Sequence, residues 1–182
     1  MSIRVAGGYL KGRLLKTLPG TATRPTTSRV REAIFSILQH DIIASDVLDI
    51  FAGSGALAIE AISRGAASAI MIEENPRAAA TIRDNLRACD LNPRLITADY
   101  RAALKTVARE GKVFHIVVAD PPYGLIEPRE LFLLLTKYSL MNDNGLFIME
   151  HAGNLAPKAE NVILTRRFGD SAITIIKYER QT

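Results

Sequence analysis

From Asp46 onward the chain alternates short apolar or β-rich runs with longer segments whose apolar residues recur at helical spacing. The short runs are Val47–Phe51, Ala69–Ile72, Arg94–Thr97, Ile116–Ala119 and Leu146–Met149, each too brief for a helix and suited to a buried strand. Between the second and third, Asn75 and Pro76 fit the cap and first turn of a helix that puts Ala79, Ile82, Leu86 and Cys89 on one face. A β-α-β-α order of this kind predicts an α/β fold of Rossmann-like type, a mostly parallel sheet with helices on both faces. Residues 162–168 and 172–178 have no long helix between them, which predicts an antiparallel hairpin added at the carboxyl end. Ahead of Asp46, residues 2–6 and 13–17 flank Gly7-Gly8-Tyr9-Leu10-Lys11-Gly12 and predict a β-hairpin extension. Thr26-Thr27-Ser28 then supply N-cap candidates for a helix carrying Val30, Ile34, Ile37 and Leu38.

No repeat, low-complexity stretch or linker interrupts this order, so residues 1–182 are expected to form one domain: an extension over 1–25 and a core over 26–182. At 48% hydrophobic, a chain of this length can bury a substantial core. No apolar run approaches the roughly 20 residues that span a bilayer, and the amino terminus lacks an apolar leader, so a cytoplasmic protein is expected, away from membranes. Cys89 stands alone, with core packing its expected role, and the three histidines are not in metal-ligand spacing; neither a disulfide nor a metal is expected.

Charge distribution changes the picture more than net charge does. Residues 1–31 hold seven cations (Arg4, Lys11, Arg13, Lys16, Arg24, Arg29 and Arg31) and no acid, while the remainder holds sixteen cations against nineteen acids. The whole basic surplus therefore lies in the amino-terminal sixth, the footprint expected of a phosphate-tracking surface. A merely solvated basic face would have the same composition.

Two motifs carry chemistry. Val47–Phe51 runs into Ala52-Gly53-Ser54-Gly55, after which Ala56–Ile62 reads as a helix; strand, glycine turn and helix frame a nucleotide-like ligand. Glu73, 18 residues beyond Gly55, is placed to accept from ribose hydroxyls. Asp49 at the mouth of the loop would suit a methionine ammonium and repel a pyrophosphate, and Asp99 could accept from an adenine amino group. This favours S-adenosyl-L-methionine over NAD, with Asp49, Phe51, Gly53, Ser54, Gly55, Glu73 and Asp99 as the cofactor residues. The second motif, Asp120-Pro121-Pro122-Tyr123, follows the apolar strand Ile116–Ala119. An exocyclic base amine is a poor nucleophile because its lone pair is delocalised; the Asp120 carboxylate and Pro121 carbonyl, accepting both N–H hydrogens, would direct that lone pair at a methyl group. Tyr123, beside Pro122, would stack on an extruded base. The pair of acceptors suits adenine, cytosine or guanine equally.

The chain resembles the RsmD family of bacterial ribosomal RNA methyltransferases over nearly its whole length. The matching stretches are Gly7-Gly8 with Lys11-Gly12-Arg13, Thr23-Arg24-Pro25-Thr26 with Arg29-Val30-Arg31-Glu32, Asp49 to Leu57, Ser63-Arg64-Gly65-Ala66, and Asp120 to Tyr123. Ser28 stands where the family often has Asp. The resemblance implies a class I methyltransferase that modifies N2 of a guanine in 16S rRNA, in the small ribosomal subunit; a monomer is the default expectation for a small enzyme whose partner is very large. It also implies that Arg24, Thr26 and Arg29 lie near the active site, on cofactor or RNA; Arg4, Lys11 and Arg13 of the basic segment are expected on the RNA from their charge. A DNA adenine-N6 methyltransferase and a catalytically silent RNA-binding assembly factor are the alternatives.

Overall fold

The computed structural model describes residues 2–18, 28–155 and 161–179. In chain order the elements are β1 (Ser2–Arg4), β2 (Leu14–Lys16), α1 (Ser28–Ile37), β3 (Asp46–Ile50), α2 (Ala56–Ser63), β4 (Ser68–Ile72), α3 (Pro76–Ala88), β5 (Arg94–Ile96), α4 (Tyr100–Arg109), β6 (Phe114–Ala119), α5 (Pro128–Lys137), β7 (Met141–Ala152), β8 (Val162–Phe168) and β9 (Ser171–Lys177). A seven-stranded sheet runs β5-β4-β3-β6-β7-β9-β8, and β1 and β2 pair as a separate antiparallel ribbon. The five strands from β5 to β7 in that order are parallel, while β9 joins antiparallel to β7 and β8 to β9.

The apolar runs are continuous because both faces of the central strands are covered. Val47, Met71 and Val118 pack with α1, α2 and α3, whereas Leu48, Ile50, Val117 and Ala119 pack with α4 and α5. Residue identity also fixes where the helices begin. Asn75 accepts from the amides of Arg77 and Ala78 ahead of Pro76, so α3 starts where the sequence signals it, and Ala79, Ile82, Leu86 and Cys89 are all buried.

The fold departs from the sequence reading at β7, at Phe51 and at Arg31. Strand β7 is twelve residues long rather than four, because polar Asn142, Asp143 and Asn144 mask its start and Glu150 and His151 its end. His151 is nevertheless buried: Nδ1 bonds to the Ala152 carbonyl, Nε2 to the Thr174 hydroxyl, and burial lowers its pKa, keeping it neutral at physiological pH. Phe51 is not the last residue of a strand; it turns away at φ 66°, and its ring packs against Tyr100 at 4.9 Å. Arg31, counted among the surface cations, is 1% exposed and faces inward from α1.

That burial is made tolerable by Glu60 of α2, itself 0% exposed. The Arg31 guanidinium donates to the Arg4 carbonyl at 2.8 Å and lies 3.6 Å from Glu60 Oε2. Glu60 Oε1 accepts two bonds from Arg64, at 2.7 and 3.0 Å, and Oε2 accepts the Ala6 amide at 3.2 Å. One carboxylate thus ties α1, α2 and the chain after β1 together. Glu60→Ala strands the buried Arg31 charge, and a loss of about 3–5 kcal/mol is expected from urea unfolding; a loss below about 1 kcal/mol would show that the cluster does not hold the extension.

Candidate active site

Register in the sheet assembles the site. Ile50 pairs with both Ile72 and Ala119, so residues 51, 73 and 120 emerge at one level on the carboxyl edge. The glycine loop starts there: the Ala52 amide donates to the Ile72 carbonyl at 3.0 Å, and the Gly53 amide to Glu73 Oε2 at 2.8 Å. Glu73 Oε1 accepts the Asn75 amide at 2.8 Å, so this carboxylate braces the loop against the start of α3. Gly55, at φ 78°, is the N-terminal flank of α2, and a Cβ there would press on Met71 and Ile82. Gly53 has φ 56°, and a Cβ there would come no nearer than 4.0 Å to its nearest neighbour, the Phe51 carbonyl oxygen, which leaves the backbone accessible to a flat ligand.

Asp49 is placed differently from the sequence expectation. Rather than standing at the mouth of the loop it is buried in β3, two residues below the edge and 1% exposed. Its Oδ2 accepts the Ala58 amide at 3.1 Å in the first turn of α2, and Oδ1 is buried with no hydrogen-bond partner. Burial, together with the nearby charges of Asp120 and Glu73 and against the Ala58 bond, pushes its pKa up to about 8. Asp49, Glu73 and Asp120 therefore form an acidic group around the loop with an unfilled acceptor inside it. Such a group fits a cationic amine and disfavours a pyrophosphate.

Asp99 is exposed and caps α4, its Oδ1 accepting from the amides of Arg101 and Ala102. Next to it in the chain, Tyr100 forms an aromatic pair with Phe51, at a tilt of 55°. Asp120 is partly buried, its amide on the Ile50 carbonyl at 3.4 Å. Pro121 is buried, and a turn closed by the Leu125 amide on the Pro122 carbonyl presents Tyr123, which is 53% exposed. Among the described residues, no group of His, Cys, Asp and Glu is placed to hold a metal ion, and no helix is long and apolar enough to cross a membrane.

A separate cleft lies on the extension. Arg4, Lys11 and Arg13 line a cleft of about 590 Å³ with Tyr9 and Leu14, whose side chains are exposed. Arg4 is braced by a bond to the Gly12 carbonyl at 3.1 Å. Arg29 is exposed on α1; Arg24 and Thr26 lie outside the described residues. The sequence reading missed Tyr9, hidden within a glycine-rich turn, and Tyr100, which reads as the first residue of an amphipathic helix.

The family described as conserved hypothetical protein 95 matches residues 3–177. The chain belongs to this family, which is the RsmD family. Ribosomal RNA small subunit methyltransferase D of Escherichia coli strain K12 is 38% identical over 151 residues, 81% of this chain and 74% of the relative. YlbH of Bacillus subtilis strain 168 is 33% identical over 96% of this chain and 98% of its own. Among solved structures, yhhF from Escherichia coli superimposes with a TM-score of 0.86 at 33% identity over 100% of both chains. The Thermus protein TTHA0928 gives 0.85 at 30% identity over 97% of this chain and 99% of its own. Membership in the RsmD family agrees with the methyltransferase fold, whose mostly parallel sheet and carboxyl-terminal hairpin are those expected from the sequence.

The buried acid of this RsmD-family site has a measurable pH signature. Between the unfolded value of 3.8 and the folded value of about 8, the folded chain keeps a proton that the unfolded chain sheds. Stability of the ligand-free protein therefore falls as pH rises through that window. Asp49→Asn removes the effect, so thermal unfolding from pH 5 to 9 should give a flatter profile for the variant. Parallel profiles would show that Asp49 keeps an ordinary carboxyl pKa.

Proposed function

We propose that this chain transfers a methyl group from S-adenosyl-L-methionine to the exocyclic N2 amine of a guanine in small-subunit ribosomal RNA. The observation that carries the reading is the meeting of the two motifs: β3 and β6 are neighbours, and Asp120 opens beside the glycine loop, near enough for its charge to act on Asp49. The relatives support an S-adenosylmethionine-dependent rRNA methyltransferase: the Escherichia coli protein is named for methylation of small-subunit rRNA. Guanine as the target follows from the RsmD resemblance.

The residues fit the cofactor. Asp49, with its unpartnered Oδ1, would hold the ammonium group; Gly53, Ser54 and Gly55 would lie along the methionine moiety; Glu73 would take the ribose hydroxyls on its remaining lone pairs; Asp99 and Phe51 would flank the adenine. When bound, the cofactor supplies an electrophilic methyl group on a sulfonium sulfur. The chain's work is positioning. The Asp120 carboxylate and the Pro121 carbonyl accept the two N–H hydrogens of the amine, the adjacent prolines fix their geometry, and Tyr123 covers the base face. Because a stacked base hides its amine, the nucleotide enters extruded or unpaired, and the exposed Tyr123 ring offsets lost stacking. RNA approaches across Arg4, Lys11, Arg13 and Arg29, with Arg24 and Thr26 assigned the same neighbourhood. The protein acts as a cytoplasmic monomer on the assembling subunit.

Transfer of labelled methyl groups to rRNA from cells lacking the enzyme tests the activity, and mapping the modified nucleoside tests the base. N2-methylguanosine supports the reading; N6-methyladenosine would replace guanine with adenine. Asp120→Ala should lower kcat about 10²–10³-fold with cofactor binding retained, and full activity would sink the mechanism. Tyr123→Ala should weaken RNA use by about 1–3 kcal/mol, seen as a fall in kcat/KM. Lys11→Ala combined with Arg13→Ala should make RNA binding less sensitive to salt, its log–log slope becoming shallower by close to one unit for each phosphate left without its cation; an unchanged slope would remove the cleft from the RNA surface.

A further inference from the structure

Asn85 lies near the carboxyl end of α3, is 1% exposed, and sits on the helix face otherwise given to Ala78, Ile82 and Leu86. A polar side chain so buried needs its bonding capacity met. Oδ1 accepts the Lys16 amide at 2.8 Å, and Nδ2 donates to the Lys16 carbonyl at 3.0 Å and to the Ser54 carbonyl at 2.8 Å. The primary amide thus pairs with Lys16 as a neighbouring strand would, and with its second donor reaches the glycine loop.

The bond to Ser54 falls where the loop is freest to move. The Ser54–Gly55 peptide lies between two residues of positive φ, Gly53 at 56° and Gly55 at 78°. Glycines leave such a peptide many alternative orientations, and ordering it costs conformational entropy. Here it is held at both ends: its carbonyl by Asn85, and its N–H, that of Gly55, by the Ala52 carbonyl at 2.7 Å. A turn of this peptide would break both bonds and carry Gly55 out of the conformation that starts α2.

We infer that Asn85 is a positioning residue for the cofactor seat, fixing the Ser54–Gly55 peptide of the glycine loop from the backbone of the basic extension. The inference rests on reading the loop as the cofactor seat and the extension as part of the RNA seat. Its consequence is linkage. β2 and the glycine loop share one amide, so whatever steadies the extension steadies the loop, and RNA and cofactor each tighten the other's binding by the same factor.

The test measures S-adenosylhomocysteine affinity by calorimetry on the full chain, with and without a small-subunit rRNA fragment. Asn85→Asp is nearly isosteric, keeps the acceptor for the Lys16 amide and loses both donors. Lys16→Pro removes one bond from the surface side, at a strand edge that tolerates proline, and decides the question if the first variant folds poorly. Both variants should bind S-adenosylhomocysteine at least tenfold more weakly than wild type, lose the tightening that RNA gives wild type, and keep kcat at saturating cofactor within about threefold. A lowered melting temperature with affinity within twofold of wild type would mean that Asn85 only packs, and would overturn the inference. Failure of the wild type itself to bind S-adenosylhomocysteine would instead overturn the functional reading on which it rests.

Discussion

The site exists because the chain reverses its direction of travel across the sheet between β3 and β6. The first crossovers, through α2 and α3, pack on one face and carry the chain outward to β5; the next, through α4 and α5, pack on the other face and carry it to β6 and β7. Two adjacent parallel strands therefore send their following segments to opposite faces, the arrangement that in open α/β sheets leaves a ligand crevice at the carboxyl ends. Strands buried on both faces have little room for polar side chains along their length, so Glu73 and Asp120 sit one residue beyond the last paired position. Fold and chemistry share a cause here. The crossover pattern that closes the core also brings Glu73 and Asp120 to one short edge, above the buried Asp49.

The extension depends on a different constraint. Two three-residue strands cannot hold a ribbon in place alone, since an isolated hairpin is marginal in water. What fixes it is a set of buried polar groups whose bonding needs it satisfies. Glu60 takes the Ala6 amide, Ser63 takes the Tyr9 and Leu10 amides on its carbonyl and hydroxyl, and Asn85 takes Lys16. Detaching the ribbon would leave these groups unsatisfied in an apolar setting, at about 1–3 kcal/mol for each neutral one and more for the carboxylate. The basic ribbon is thereby locked to the body of the protein by buried groups of α2 and α3.

Hydrophobic spacing made the strands, α3 and the carboxyl-terminal hairpin legible, because burial on one or two faces leaves a periodic trace. The glycine loop and Asp120 to Tyr123 were legible because backbone freedom and paired acceptors demand particular residues. Arg31, Glu60 and Asn85 were not. Each occupies a helical position facing the core, where a pattern of apolar and polar residues assigns charge to solvent, and each is buried only because its partners come from segments up to 69 residues away. Glu60 does leave a mark in hindsight: it is the lone charge in the otherwise apolar α2, Ala-Leu-Ala-Ile-Glu-Ala-Ile-Ser. Phe51 was named as a cofactor residue, but its turned backbone escaped for another reason, since a bulky residue at φ 66° is disfavoured by propensity and is maintained by the packing around it.

Asp49 brings these threads together. In a ligand-free protein its position is costly: an acid fully enclosed, one oxygen unpaired, two further acids close by, and only the Ala58 amide in its favour. A leucine or asparagine would serve the fold better. Retaining a destabilising group is reasonable where a ligand removes the cost, and a cation does so by restoring the counter-charge that burial took away. Glu73 and Asp120 raise the cost of the empty state and enlarge the gain on filling it. The same acids oppose an anionic group, so the electrostatics that the sheet edge enforces favour a cationic ligand over a pyrophosphate.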